Sequence, residues 1–413
     1  MKVYFESYGC TLNKRDTLYM QAQIENTTNN LEEADVVVIN SCIVKQPTET
    51  KILYRINQLK KMGKKIVLTG CMVSEPYLKY KELQDISLVN IYNQDRIKEA
   101  IERTYKGERV LFLEKKKIYK EFARPLSKAR AIIQIQEGCL WRCTYCGTKL
   151  ARSMFYSYPP KLIKREIEEK LKQGIKIFYL TGPDTATYGK DINYSLADLL
   201  KDLIEIEGDF YIRVGMANPT FFLEQIDELI DVFKSNKIFK FFHLPVQSGS
   251  NKVLKDMNRP YTIEEYKELI YKLRKHFPLA TYVTDIIVGY PTETEEDFEQ
   301  TLELVREIKF DGINISRFWR RPGTIAWNLK QLDPEIVTNR VKRLKEVFLQ
   351  GAYERNKLWL NWEGEAIIEE KGKNNTWIAK NEMYKQIIVK GNYEEGQKIK
   401  VKIKKARAID LIA

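Results

Sequence analysis

"EGCLWRCTYCGTKL", residues 137–150, sets cysteines at positions 139, 143 and 146 and offers no fourth. Zinc takes four protein ligands in a structural site, or three and a water in a catalytic one. The chain has two histidines to complete such a set. His243 lies in the strand-like "FFHLPVQSGS", and His276 lies in a lysine-rich helical stretch that reads as surface. Zinc spacings usually come as paired CxxC, so a three-cysteine zinc site stays open as the weaker reading. A cubane iron–sulfur cluster explains the pattern better. Each of its four irons needs one outside ligand, and three thiolates leave one iron open to a substrate or cofactor.

The cysteine loop follows "AIIQIQE", the first of six strand-like runs; the others are "IFYLTG", "FYIRVG", "IFKFFHL", "VTDIIVG" and "INISRF". Amphipathic stretches such as "KLIKREIEEKLKQG" and "EEYKELIYKLRKHF" separate most of them. Six β/α units over residues 130–330 predict a partial (β/α)6 barrel with its function at the carboxyl ends of the strands. After successive strands come the cysteines, Asp184, Asn218, Gln247 with Ser248, the turn from Gly289 to Glu293, and the basic "RFWRRPGT". Each of these also has an ordinary reading as strand-end turn chemistry.

Upstream, residues 1–115 alternate β-branched runs with helical stretches such as "TETKILYRINQLKKMG", which predicts a small parallel α/β domain. Cys10 follows "KVYFESYG", Cys42 follows "DVVVINS" and Cys71 follows "KIVLTG". Open α/β sheets bind ligands at the carboxyl ends of their strands. A shared ligand is therefore expected for this second trio, with three separate buried thiols as the alternative. A basic linker, "EKKKIYKEFARPLSKAR", joins this domain to the barrel, and its run Lys115 to Lys117 reads as solvated. Downstream, residues 356–413 carry short strands that predict a small antiparallel β-barrel. In "KIKVKIKK", Ile399, Val401 and Ile403 share one face, and Lys398, Lys400, Lys402 and Lys404 share the other. Such a lysine row can read a phosphate backbone, or it can protect an edge strand.

The fold class is therefore α/β with a small β-barrel appended. Six cysteines in a long chain without a secretory start point to metal binding or chemistry in a reducing cytoplasm rather than to disulfides. No apolar run reaches membrane-spanning length. The formal net charge of +13 suits a polyanionic partner.

CxxxCxxC at the end of a first barrel strand resembles the radical S-adenosylmethionine (SAM) superfamily. "YGCTLN", "INSC" and "LTGC", followed by "LTGPDTATYGKD", "RVGMANP", "HLPVQSGSNKVLKDMNRPYT", "DIIVGYPTETEEDF" and "NISRFWRRPGT", resemble the methylthiotransferases of that superfamily. The carboxyl-terminal segment resembles a TRAM domain, their RNA-binding module. The resemblance implies two [4Fe–4S] clusters, one on Cys139, Cys143 and Cys146 and one on Cys10, Cys42 and Cys71. It implies SAM bound near Tyr145, Gly182, Asp184, Gln247, Ser248 and Gly289. Arg213, Arg317, Arg320 and Arg321 could meet the SAM carboxylate or RNA phosphate. "CxYCxTKxAR" with "SYP" is similar to the archaeal and eukaryotic branch, which acts on N6-threonylcarbamoyladenosine at tRNA position 37. That branch adds a methylthio group to C2 and needs the anticodon stem-loop, a low-potential electron donor and a sulfur source that the residues do not identify. An isopentenyladenosine enzyme and a non-catalytic iron–sulfur RNA-binding protein are the alternatives. Departures from the family pattern fall at Ser153, Pro183 and Ile325 and touch no cysteine.

Overall fold

The computed structural model describes all 413 residues. By internal contacts the chain forms two compact units. The first comprises Met1–Leu126, Ile132–Glu166 and Trp319–Asn328; the second comprises Ser127–Ala131, Ile167–Phe318 and Leu329–Ala413.

The first unit is built on a six-stranded, all-parallel sheet. Its strands are β1 (Val3–Ser7), β2 (Thr27–Thr28), β3 (Val36–Ser41), β4 (Lys65–Gly70), β5 (Ser87–Val89) and β6 (Leu111–Phe112), in the order β2-β1-β3-β4-β5-β6. The three strands expected from sequence are its centre. The short outer strands carry too few apolar residues to stand out in the sequence. β3 is buried along its whole length, as a strand covered on both faces must be. Its alternate residues feed two cores. Val37 and Ile39 pack with Ile52 and Ile56 of α2 (Gln46–Lys61), whereas Val36 and Val38 pack with Ile97 and Ile101. α2 has Pro in its first turn, Glu49 near its positive end, and Lys60 and Lys61 in its last turn. α1 (Thr11–Ala22) begins directly after Cys10.

In the second unit, β8 (Ile177–Thr181) pairs in parallel with β9 (Tyr211–Val214). The Ala129 carbonyl, just ahead of strand β7 (Arg130–Gln134), accepts the N–H groups of Lys176 and Ile177. β10 (Phe241–His243), β11 (Thr281–Val288) and β12 (Gly312–Arg317) form a second parallel set, and a bridge between Ile212 and Ile238 continues the curve from one set to the next. Along β11, Tyr282, Thr284, Ile286 and Val288 are fully buried, while Val283, Asp285 and Ile287 are half-buried on the opposite face. That opposite face is the open, concave one. The helices Ile263–His276 and Glu295–Ile308 start in capping boxes set by Thr262 with Glu265 and by Thr294 with Asp297.

The carboxyl-terminal sheet joins β13 (Glu363–Lys371), β14 (Thr376–Lys380), β15 (Gln386–Lys390), β16 (Lys398–Lys402), β17 (Lys405–Ala406) and β18 (Leu411–Ile412) in the order β16-β13-β14-β15-β18-β17. Its two edge strands are consecutive in the chain, so the sheet curls around a core of Ala366, Ile368, Ala379, Ile387, Val389, Val401, Ile403 and Leu411. One pairing differs from the antiparallel expectation: β15 and β18 run parallel. The chain turns back once more through β17, and that reversal sets the direction of the last strand.

Candidate active site

All six cysteines lie in the first unit. Cys10, Cys42 and Cys71 each follow the carboxyl end of a central strand, and the sheet order β1-β3-β4 makes those strands neighbours. Gly9 shows how closely they pack. At its φ of +104° a side chain would be strained, and a Cβ there would lie 2.7 Å from the Cys42 Sγ and 3.2 Å from the Asn13 Nδ2. Asn13, in the first turn of α1, donates through Nδ2 to the Tyr8 and Ser41 carbonyls, both at 2.8 Å. Its Oδ1 lies 3.9 Å from the Cys71 Sγ. Burial pushes the Cys71 thiol up to about 12; Arg152 pulls it back, and Cys42 and Cys10 push it further. Burial also raises the Cys42 thiol, the Val44 N–H works against that, and Cys10 adds to it. The three thiols stand at the carboxyl ends of three adjacent strands, where the sequence places a shared ligand.

Cys139, Cys143 and Cys146 occupy a single loop. Gly138 enters it at φ +72°, with the Met154 carbonyl oxygen 2.1 Å from where a Cβ would be. The Cys146 N–H donates to the Cys143 carbonyl at 3.2 Å, and the Lys149 ammonium donates to the Cys139 carbonyl. The Thr144 carbonyl takes the Ala326 N–H at 2.9 Å. Burial raises the Cys146 thiol, Cys143 adds to this, and the N–H groups of Lys149 and Thr148 oppose it. Tyr145 is half-buried between the last two cysteines.

Neither trio closes around a single metal ion, and no other group of His, Cys, Asp or Glu does so. A four-iron cubane is larger than one ion and holds its thiolates farther apart. Three sulfur donors per site, with no histidine and no carboxylate among them, are the donor set of an iron–sulfur cluster with one open iron. Binding would draw the thiol protons off, against the burial that favours the protonated form at Cys42, Cys71 and Cys146.

A buried ionic network, not foreseen from the residue pattern, braces the same region. Arg152 donates to both Glu137 oxygens at 2.7 and 2.9 Å, to Asp16 Oδ2 at 2.5 Å and to Asn13 Oδ1 at 3.1 Å. Lys120 reaches Asp16 at 2.6 Å and Glu137 at 3.3 Å. Arg15 pairs with Glu166 at 2.9 Å and donates to the Lys120 carbonyl. Burial opposes ionisation of Asp16 and Glu137, yet Lys120 and Arg152 overcome it and hold both carboxyls low. Three cations balance three anions. Asn13 connects this network to Cys71, and Glu137 connects it to the Cys139 loop. Lys115 and Lys117 are exposed as expected, but Lys120 in the same basic stretch is fully buried because two carboxylates face it.

The second unit carries the remaining site residues. Asp184 is buried; its Oδ1 accepts the N–H groups of Asn218 at 2.8 Å and Ala186 at 3.3 Å, while Oδ2 has no partner. Burial lifts this carboxyl to about 6, against the Asn218 N–H. Gln247 holds φ +73° and bridges to Ile286. Ser248 is fully buried, its Oγ accepting the Ser250 N–H at 3.2 Å and lying 3.5 Å from Thr301 Oγ1, which is turn chemistry. The Gly289 N–H donates to Glu293 at 2.9 Å, and a Cβ on Gly289 would lie 2.6 Å from Val337. Gly182 is half-buried beside Asp184.

On the concave face, Asp285 Oδ1 is 2.9 Å from His243 Nε2 and accepts from Asn314 Nδ2 at 2.7 Å. This trio was missed in the sequence; its signal is a polar residue at a lumen-facing position of three adjacent strands. Arg213 stacks on Phe241 and Tyr179 and is absorbed in packing. In the first unit, Arg321 donates to the Val44 carbonyl at 2.7 Å and lies 3.4 Å from Glu49, a structural clasp beside Cys42. Arg320 lies over Trp327, and Arg317 is half-buried. The lysine row is exposed as expected, and half of it is engaged: Lys398 pairs with Asp209 at 2.6 Å and Lys402 with Glu363 at 2.5 Å. Lys400 and Lys404 make no such pair.

A CxxxCxxC loop with a curved parallel barrel defines a radical SAM protein, and the radical SAM superfamily matches residues 133–305. An uncharacterized protein family, UPF0004, matches residues 2–90, and the TRAM domain matches residues 363–413. A probable threonylcarbamoyladenosine tRNA methylthiotransferase of Pyrococcus horikoshii is 40% identical over 412 residues, covering 96% of this chain and 96% of that one. The corresponding protein of Methanocaldococcus jannaschii is 36% identical over 419 residues, covering 100% and 96%. The human threonylcarbamoyladenosine tRNA methylthiotransferase is 34% identical over 414 residues, covering 95% and 70%. Among solved structures, the radical SAM methyltransferase TsrM of Kitasatospora setae, with cobalamin and a [4Fe–4S] cluster bound, shares the fold. It has a TM-score of 0.57 at 13% identity and covers 79% of this chain and 74% of that one. The chain belongs to the threonylcarbamoyladenosine tRNA methylthiotransferase family.

Proposed function

We propose that the protein adds a methylthio group to C2 of N6-threonylcarbamoyladenosine at position 37 of tRNA, using two [4Fe–4S] clusters and SAM. The convergence of Cys10, Cys42 and Cys71 from three strand ends carries the reading, because a single SAM-cleaving cluster needs only the other trio. C2 of an adenine has no acidic proton and no leaving group, so acid–base catalysis gains little there. When bound, the clusters and SAM supply the one-electron chemistry and the sulfur that this carbon requires.

The chain's own part is to bind, orient and exclude water. Cys139, Cys143 and Cys146 would hold the cluster that serves SAM, and Cys10, Cys42 and Cys71 would hold the second. Tyr145 would flank the adenine of SAM. Asp184, through its unpartnered Oδ2, and Gly182 would receive an amino group. Gln247 and Asp285 are placed to accept or share hydrogen bonds with a nucleoside's hydroxyls, and Gly289 keeps the turn after β11 low. Ser248 shapes the turn behind Gln247. The target base leaves its stack to enter, as base-modifying enzymes require. The carboxyl-terminal barrel holds the anticodon stem-loop by its backbone through Lys400 and Lys404, with Lys398 and Lys402 after exchange of their carboxylate partners. A low-potential donor supplies electrons, and reduced thiols suit a cytoplasmic setting. No helix is long and apolar enough to cross a membrane.

The reading is tested by comparing tRNA nucleosides from cells with and without the gene by mass spectrometry. The 2-methylthio derivative of threonylcarbamoyladenosine is expected to vanish with the gene. An unchanged level refutes the proposal, and loss of the isopentenyl derivative instead assigns the other substrate.

A further inference from the structure

The exposed face of α2 carries Gln46, Pro47, Thr50, Lys51 and Tyr54 at helical spacing, and with Trp319 they line a solvent-open cleft of about 580 Å³ in the first unit. Tyr54 is 70% exposed, an unusual position for so large an aromatic ring. No hydrogen bond or ring contact accounts for either aromatic. Along the chain Gln46 is four residues after Cys42, and Trp319 is two residues before Arg321, which is bonded to the Val44 carbonyl. Ile43 and Arg321 also flank the loop after Cys146, each within about 3.4 Å of where a Gly147 Cβ would lie.

We infer that this cleft is a stacking site for an unpaired nucleobase of the RNA, next to the one being modified. The inference rests on the RNA substrate proposed above and names a contact on it. The chemistry is that of single-strand recognition. Two aromatic faces can take a base, a neighbouring ammonium can take its phosphate, and an amide at the rim can meet a base edge. Lys51 in the lining and Lys45, next to Gln46 in the chain, are both exposed, and the net charge of +13 complements a polyanion, which favours an anionic over an acyl or peptide partner. Lys51 also lies 5.7 Å from the centre of the Tyr8 ring.

The test uses the full chain with its clusters reconstituted anaerobically and a labelled anticodon stem-loop RNA containing threonylcarbamoyladenosine. Binding is followed by anisotropy, and quenching of tryptophan emission is followed alongside. Tyr54→Ala and Trp319→Ala are each expected to weaken binding about tenfold. Tyr54→Phe should keep full affinity, and Trp319→Phe should abolish much of the RNA-induced quenching. Iron content and melting temperature should not change at Tyr54, whose ring is exposed. If Trp319→Ala fails to fold, the Tyr54 pair decides alone. Wild-type affinity in Tyr54→Ala overturns the inference and leaves the proposed reaction standing. A wild-type protein that neither binds nor modifies the RNA overturns both.

Discussion

Cys139, Cys143 and Cys146 lie within eight residues, whereas Cys10, Cys42 and Cys71 are spread over sixty-two, yet the proposed function gives each trio the same kind of cluster to hold. The first trio is shaped by its own loop: a glycine at the entry, a backbone bond from Cys146 to Cys143, and Lys149 folded onto the Cys139 carbonyl. The second exists only because β1, β3 and β4 are adjacent and parallel, so their carboxyl ends share an edge. The contiguous site therefore depends on local conformation and the dispersed one on the whole sheet. The ionic network around Arg152 ties them together, since its members sit in α1, in the buried stretch around Lys120 and on both sides of the cysteine loop.

The sharpest way to break this contrast is to empty each site. Alanine at Cys10, Cys42 and Cys71 together, or at Cys139, Cys143 and Cys146 together, should each remove about half of the bound iron. Both should abolish methylthiolation, and only the second should also abolish 5′-deoxyadenosine release from SAM. Iron analysis and product chromatography separate the two. Equal loss of all iron in either variant would show that the trios are not independent sites.

Next in size is Arg152→Ala, which leaves Asp16 and Glu137 buried without their guanidinium. A loss of about 3–5 kcal/mol is expected by urea unfolding. Iron should leave the dispersed trio at lower urea than the contiguous one, because sheet and helix must stay docked to keep it. The second unit offers a contrast without cysteines. Burial lifts the Asp184 carboxyl from 3.8 to about 6. The folded protein thus keeps that proton where the unfolded chain has released it. The contribution to stability is full below about pH 4 and is lost as pH rises to about 6, roughly 3 kcal/mol in all. Asp184→Asn should flatten that slope in melts between pH 4 and pH 7. The smallest effect belongs to the surface: glutamine at Lys400 and Lys404 should lower the salt dependence of RNA binding by about one per lysine. The same change at Lys398 and Lys402 should do less, since each already faces a carboxylate.

Residue patterns made the central strands, the barrel units and the lysine alternation legible, because buried strands and amphipathic helices must repeat with their own periods. Thr27–Thr28, Ser87–Val89 and Leu111–Phe112 escaped, being too short to show a period. Asp184 and Gly289 stood out by position at strand ends. Their contacts, with Asn218 and with Val337, come from distant parts of the chain. Lys120 gave no sign either. A lysine in a basic run reads as solvated until two carboxylates are found enclosing it.

By itself the sequence determined the thiol donors and their order along the chain. Thiol type, the spacing of the contiguous trio and the place of each cysteine after a strand are local properties, and local properties survive translation into a string of letters. Only the tertiary structure decided which residues surround those thiols: Asn13 against Cys71, Arg152 between Asp16 and Glu137, Asp285 beside His243. Such partners are chosen by packing across long stretches of chain, where low-dielectric burial makes each unpaired charge costly and leaves no mark on the spacing of residues.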